Sequence, residues 1–225
     1  MISAILVGAG KGERLSSSVP KAFIRIGGKE IFYYSLVKFY RKVDEIILVF
    51  PQDYLEKWKE KLEKEFQGIK VISGGKERYN SVKNGLDILE NQNGIVLIHD
   101  VARPFFSENL IKRVIEGAEK YGACVPSVEV KDTLKQIDGD FVVKTLDREK
   151  IFAVQTPQGF KVEIIKKAYR EAERKNVFGS DDAILVERMG IKVYSVDGEQ
   201  ENIKITYPVD LKIAEIMVEK WEQVE

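Results

Sequence analysis

A short apolar run, Ile2 to Val7, leads into Gly8-Ala9-Gly10-Lys11-Gly12-Glu13-Arg14, and Pro20-Lys21 follows. A strand that feeds a glycine-rich loop brings backbone N–H groups close to phosphate oxygens. Arg14 and Lys21 add a guanidinium and an ammonium, so the chemistry to expect is polyphosphate binding. Two common glycine patterns fail here. No window supplies G-x-x-x-x-G-K-[ST]. The dinucleotide fingerprint G-x-G-x-x-G/A accepts Gly8 and Gly10 but meets Glu13 at its third small position. Nor does an acid end the second clear strand, which closes on Phe50-Pro51. A nucleotidyltransferase loop, which wraps a nucleoside triphosphate and neutralises it with cations, uses both Arg14 and Lys21. A plain strand-to-helix turn leaves them as solvated charges.

Six further segments carry chemistry-bearing side chains. Gly74-Gly75-Lys76-Glu77-Arg78 opens a helix, and Arg78 and Ser81 stand in reach of a base or ribose, or else the segment is an ordinary turn. His99-Asp100-Val101-Ala102-Arg103-Pro104 follows a strand. Its Asp100 suits a magnesium ion or a substrate hydroxyl, whereas His99 reads as structural and Arg103 as a clamp between loops. Arg148, after Asp147, suits a phosphomonoester, which arginine grips with two parallel hydrogen bonds. Thr156, in Gln155-Thr156-Pro157-Gln158-Gly159, adds a hydroxyl, or the segment is a turn leading into a helix. Ser180 reads first as a helix cap. Lys204 alternates with Ile203 and Ile205 in a short β-run and offers a third cation.

These segments need a scaffold. Apolar runs at 2–7, 45–50, 70–73, 95–99, 123–128 and 192–196 predict strands. Amphipathic stretches at 30–41, 53–66, 78–89, 107–121, 162–175, 181–189 and 208–221 predict helices. This alternation predicts an α/β fold, Rossmann-like, with a mostly parallel sheet covered by helices on both faces. The loops after three strands, Gly8–Lys21, Gly74–Ser81 and Asp100–Pro104, then share the carboxyl edge where such sheets bind ligands. The whole of 1–225 reads as one nucleotidyltransferase domain with an inserted β-arm at about 130–150. There two β-runs flank Asp138-Gly139-Asp140, a hairpin signal. A hairpin alone is marginal in water, so it must pack on its own chain or on a second subunit. Its apolar alternation without a helical partner points to the second.

Composition removes other classes. Lys plus Arg and Asp plus Glu are 36 each, which argues against a general nucleic-acid or membrane surface. One cysteine, Cys124, and one histidine, His99, exclude an internal disulfide and a multi-histidine metal site. No run of apolar residues approaches a membrane span. With no leader signal, the expected location is cytoplasmic.

The ordered set of motifs resembles the 2-C-methyl-D-erythritol 4-phosphate cytidylyltransferase family. It comprises Ala9-Gly10-x-Gly12-x-Arg14, Pro20-Lys21, Gly74-Gly75-x-x-Arg78-x-x-Ser81-Val82, His99-Asp100-x-Ala102-Arg103-Pro104, Asp147-Arg148, Thr156-Pro157-Gln158 and Asn202-Ile203-Lys204-x-Thr206. The resemblance implies transfer of CMP from CTP to a polyol phosphate with release of pyrophosphate, aided by Mg2+ or another divalent cation. It implies that Gly8, Ala9, Gly10 and Gly12 hold the triphosphate, and that Arg14, Lys21 and Lys204 stabilise the reacting phosphate. Gly75, Arg78, Ser81 and Ala102 would complete the CTP site. Asp100, Arg148, Thr156 and Ser180 would hold the acceptor. The arm would complete a homodimer, with Arg148 and Thr156 serving the partner subunit's pocket. The chain departs from the family at Lys76, where an aspartate is usual, and at Ser180, where a threonine is usual. A ribitol 5-phosphate cytidylyltransferase and a nucleotide-binding regulator without turnover are the alternative readings. Only the first of these needs cations at 14, 21 and 204 together.

Overall fold

The computed structural model describes residues 1–225 apart from 11, 13, 14, 16–18 and 222–225. Its strands are β1 (Ile2–Val7), β2 (Arg25–Ile26), β3 (Lys29–Glu30), β4 (Glu45–Phe50), β5 (Ile69–Ser73), β6 (Ile95–Asp100), β7 (Ala123–Glu129), β8 (Lys135–Asp138), β9 (Phe141–Thr145), β10 (Phe152–Val154), β11 (Gln158–Lys161) and β12 (Tyr194–Asp197). Its α-helices are α1 (Ile31–Phe39), α2 (Gln52–Glu65), α3 (Arg78–Asp87), α4 (Glu108–Tyr121), α5 (Val162–Lys175), α6 (Ala183–Glu187) and α7 (Pro208–Trp221).

The main sheet runs β10-β7-β11-β6-β1-β4-β5, with β12 paired to β7. β1 lies parallel between β4 and β6, and β4 lies parallel to β5. Such strands are buried on both faces, which is why they read as unbroken apolar runs. Alternate residues serve opposite faces. Ala4, Leu6, Ile46, Leu48 and Leu97 pack against Phe32, Leu36 and Phe39 of α1, Leu62 of α2, and Leu110 and Val114 of α4. Ile5, Ile47, Val49, Val96 and Ile98 pack against Val82 and Leu86 of α3, Ile165 of α5 and Val186 of α6. A third cluster joins Ile26, Ile31, Phe105 and Ile205 to Ala214 and Val218 of α7. The helices cover both faces, as the alternation predicts. No described helix is long and apolar enough to cross a membrane.

The structure corrects several local expectations. β10 and β11 were not predicted. β11 is inserted antiparallel between β6 and β7, so the parallel sheet carries an antiparallel strand at Gln158–Lys161. The segment 155–159, whose alternative reading was a turn leading into a helix, runs into that strand, which meets α5 at Val162, and its Thr156–Pro157 peptide is cis. Residues 202–206 form no strand, and β12 begins two residues later than expected. The hairpin is present as β8 and β9, a separate two-stranded sheet. Its apolar side chains point to solvent in the protomer, with Phe141 79% and Ile137 62% exposed.

Candidate active site

Three loops converge at the carboxyl edge of the parallel strands, and backbone bonds fasten them. Gly8 N donates to the Val49 carbonyl (2.8 Å), Gly74 N to the Phe50 carbonyl (2.7 Å) and Val101 N to the Val7 carbonyl (3.2 Å). Gly74 lies so close to the first loop that a Cβ there would sit 2.4 Å from the Ala9 Cβ and 2.7 Å from Ser81 Oγ. Only glycine fits. Gly12 has φ of +70°, and a Cβ on it would press on the Lys21 backbone at 3.1 Å. Among the described residues, nothing lies within 4 Å of a Cβ built on Gly10.

Lys21 starts a single 3-10 turn, Lys21–Phe23, whose Ala22 and Phe23 are buried. Phe23 packs edge-on against Phe32 and Phe50 and stacks on Tyr54, which anchors the turn beside the glycine loop. Arg14, the other cation expected here, lies outside the described residues.

In the second loop, Gly75 N donates to Ser81 Oγ (3.1 Å), and that hydroxyl donates to the Glu77 carbonyl (3.2 Å). Ser81 is therefore buried beneath the loop as its prop. Glu77 N donates to Asn80 Oδ1 (3.1 Å), fixing the start of α3. Lys76 is exposed.

The third loop carries the charge centre. Asp100 ends β6 in register with Val7, the residue before the glycine loop. Its Oδ1 meets Arg78 Nε at 2.8 Å and its Oδ2 meets Lys204 Nζ at 2.6 Å. Arg78 also meets Asp182 Oδ2 at 2.8 Å, and Tyr169 donates its hydroxyl to Asp182 Oδ1 at 2.6 Å. Two cations and two carboxylates thus balance in a largely buried cluster. Burial alone would raise the Asp100 pKa, but Arg78 and then Lys204 outweigh it and hold the carboxylate well below its usual range. Burial would lower Arg78, but Asp100 and Asp182 reverse the shift and raise it.

Backbone contacts deliver Lys204 to this place. Ile205 N donates to the Ala102 carbonyl (2.9 Å), Arg103 Nη1 to the Asn202 carbonyl (2.7 Å), and Asn202 Nδ2 to the Thr156 carbonyl (2.9 Å). Arg103 is the clamp between loops that its position suggested. Ala102 contributes through its backbone.

Thr156 is buried against Asp100 of its own chain, its Oγ1 accepting from Asp100 N at 3.1 Å. Thr156 is thus joined to Asp100 within one protomer. Arg148 lies exposed at the foot of the hairpin and donates to the Lys131 carbonyl (2.9 Å). Ser180 is exposed, and it is not the cap of α6. Asp182 takes the N-cap position without a side-chain cap bond, and Asp181 Oδ1 accepts from Ile184 N at 3.2 Å. A surface groove of about 410 Å³ beside Lys42, Glu108 and Lys112 includes Ile2 and lies at the opposite end of β1.

The model of one protein family, 2-C-methyl-D-erythritol 4-phosphate cytidylyltransferase, matches residues 2–220. The chain belongs to this family. The cytidylyltransferase of that name from Clostridium botulinum is 44% identical over 227 residues, spanning 98% of this chain and 100% of the relative. That of Caldanaerobacter subterraneus subsp. tengcongensis is 41% identical over 225 residues, spanning 97% and 99%. Among solved structures, the 2-C-methyl-D-erythritol 4-phosphate cytidylyltransferase of Thermus thermophilus aligns with a TM-score of 0.83 at 35% identity, covering 96% of this chain and 98% of that one. The 4-diphosphocytidyl-2C-methyl-D-erythritol synthase of Anaerococcus prevotii aligns with a TM-score of 0.86 at 34% identity, covering 97% and 96%. The chain is thus a nucleotidyltransferase by family as well as by loop architecture.

In this cytidylyltransferase, two site features escaped the sequence reading. Asp182 is buried as the second counter-ion of Arg78. His99 touches Thr156. Of the paired glycines, Gly74 is the one that meets the first loop. Nothing in the string Ser180-Asp181-Asp182 distinguishes which acid is buried.

Proposed function

We propose that this cytidylyltransferase transfers CMP from CTP to 2-C-methyl-D-erythritol 4-phosphate and releases pyrophosphate, in non-mevalonate isoprenoid precursor biosynthesis. The observation that carries the reading is the Lys204–Asp100 pair, 2.6 Å apart, beside the start of the glycine loop. It sets a cation for phosphate oxygens next to an acceptor for the hydroxyls of a polyol.

In the reaction, an oxygen of the acceptor phosphate attacks the α-phosphorus of CTP. The bond from that phosphorus to the bridging oxygen breaks, and its electron pair leaves with pyrophosphate. A phosphomonoester is largely dianionic near neutral pH, its second pKa being about 6, so the nucleophile needs no general base. His99 is fully buried, and burial drives its pKa down to about 3, so its ring is neutral and too weakly basic to serve the reaction. The requirement is cancellation of charge between two anions and on the leaving group. We assign Gly8, Ala9, Gly10 and Gly12 to the triphosphate, and Arg14, Lys21 and Lys204 to the α-phosphate. Gly75 and Ala102 frame the cytidine end, with Ser81 and Arg78 supporting from beneath. Asp100 takes polyol hydroxyls, and Arg148 and Ser180 take the acceptor phosphate, with Thr156 beside Asp100.

Among the described residues, no three His, Cys, Asp or Glu side chains converge as a metal cage. Asp100 is a lone carboxylate, which fits a magnesium ion carried by the triphosphate, since magnesium is commonly held by one or two carboxylates and substrate phosphates. Bound there, the ion would supply further positive charge to the triphosphate. We also propose a homodimer in which a second copy covers the apolar face of the β8–β9 hairpin, and a cytoplasmic location, where CTP is available. Pyrophosphate release, measured with CTP, UTP, ATP and GTP against methylerythritol phosphate and ribitol phosphate, tests the reading. Release confined to CTP with methylerythritol phosphate is expected; preference for ribitol phosphate, or no release with any pair, overturns it.

A further inference from the structure

His99 is fully buried one residue before Asp100, packed against the rings of Phe39 and Phe106. Its Nε2 faces the Arg103 carbonyl at 3.2 Å and Ser35 Oγ at 3.3 Å. A carbonyl only accepts, so Nε2 carries the ring proton. The Ser35 hydroxyl is itself in reach of the Val101 carbonyl (3.5 Å), which leaves its oxygen to accept. In this apolar setting the ring is neutral, so Nδ1 is a bare acceptor. Its partner is Thr156 Oγ1 at 3.1 Å. The Thr156 hydroxyl must then donate to His99, while its oxygen accepts from Asp100 N. Every bond in the relay has one direction: Asp100 N–H to Thr156, Thr156 O–H to His99 Nδ1, and His99 Nε2–H to the Arg103 carbonyl. Arg103 N in turn donates to the Asp100 carbonyl at 2.9 Å. The relay therefore closes the tight turn that aims the Asp100 carboxylate.

We propose that His99 is a positioning residue of this transferase, which accepts the Thr156 hydroxyl hydrogen bond at Nδ1 and so holds Thr156 as an acceptor that fixes the Asp100 turn. This rests on Asp100 reading the polyol hydroxyls. It has a consequence for recognition. Thr156 has already spent its only proton, so it offers none to a phosphate oxygen. Its remaining lone pair can only accept, which suits a polyol hydroxyl.

Two measurements test this. His99 is the sole histidine of the chain, so a long-range 1H–15N spectrum of the wild-type protein at neutral pH reports one ring. A protonated Nε2 and a bare Nδ1 are expected; the opposite tautomer or an imidazolium overturns the proposal, whatever the substrate is. Steady-state kinetics then separate positioning from packing. His99→Phe keeps the ring volume and removes both nitrogens. It should raise the KM for methylerythritol phosphate by about tenfold or more, since small misplacements of binding groups have large effects, while the KM for CTP stays within about twofold. His99→Asn, whose amide oxygen replaces Nδ1, should recover part of the loss. In a Thr156→Val background, His99→Phe should add nothing further, because the pair acts as one unit. Independent, additive effects, or equal rises in both KM values, would show that His99 only fills space.

Discussion

Lys204 Nζ lies 2.6 Å from Asp100 Oδ2 although 104 residues separate them in the chain. The lysine side chain is 40% exposed. Asp100 is buried, but it keeps Arg78 as a second counter-ion, so loss of the lysine does not leave its charge unpaired. The partly exposed ammonium is the feature behind the proposed contact with phosphate.

Lys204→Ala should therefore separate stability from activity. Its unfolding free energy in urea should fall by less than the about 3–5 kcal/mol typical of breaking a buried pair, because Arg78 still compensates Asp100. Turnover should fall by about a hundredfold or more, the usual loss on removing a donor that stabilises developing charge. A variant that unfolds early and keeps its turnover would make Lys204 a structural residue.

The Arg78–Asp182 contact behaves in the opposite way. Asp182 is 1% exposed, and its oxygens are taken by Arg78 and Tyr169. Removing one member of a buried pair leaves a charge without compensation and typically costs about 3–5 kcal/mol. Asp182→Ala should thus lower the denaturation midpoint strongly, and adding Arg78→Ala should cost less than the sum of the two single changes. Guanidinium unfolding of the four proteins in that cycle measures the coupling. Strict additivity would mean that the two side chains do not depend on each other.

The same residues show what sequence could and could not reveal. β1, β4 and β6 were legible because burial on both faces demands apolar side chains at successive positions. The glycines of the first two loops were legible because close approach and positive φ leave little choice of residue. β11 was not. Gln158-Gly159-Phe160-Lys161 has no pattern of its own, and it is a strand because β6 and β7 leave an antiparallel slot between them. Lys204 was recognised as a cation, but its partner depends on the Ile205–Ala102 backbone bond, a tertiary fact. Ser180 reads as a cap by composition, but α6 begins later, with Asp182 at its N-cap. Asp181 is held by Gln158 Nε2, which donates to its Oδ2 at 2.8 Å.

The hairpin supplies a prediction about assembly. Phe141, Val142 and Val143 are more than half exposed in the protomer, an arrangement that a two-stranded sheet does not sustain alone in water. Deleting residues 132–146, or replacing Phe141→Asp together with Val142→Asp, should halve the mass seen by light scattering. Far-UV circular dichroism should change little, since the main sheet does not include β8 or β9. A wild-type protein that runs as a monomer, or a deletion variant with unaltered mass, would remove the arm from the interface.

Acid should destabilise this protein partly through its one histidine. The unfolded chain binds a proton at His99 below about pH 6.5, whereas burial lowers the folded-state value to about 3. Between those limits the unfolded state holds more protons, so stability falls as pH falls, by at most about 1.4 kcal/mol per pH unit from this group. Glu45 adds to the effect at lower pH. Its burial would raise its pKa, but hydrogen bonds from the Glu90 backbone, Lys70 and Ser3 win and lower it. Its contribution is present above the usual carboxylate range and is lost as pH drops through the depressed folded value. Urea titrations at intervals from pH 7 to pH 4.5 should show the wild-type free energy declining more steeply than that of His99→Phe. The comparison is of slopes, so any uniform loss of stability in the variant does not affect it. Equal slopes would mean that His99 takes up its proton in the folded protein, against the burial that surrounds it.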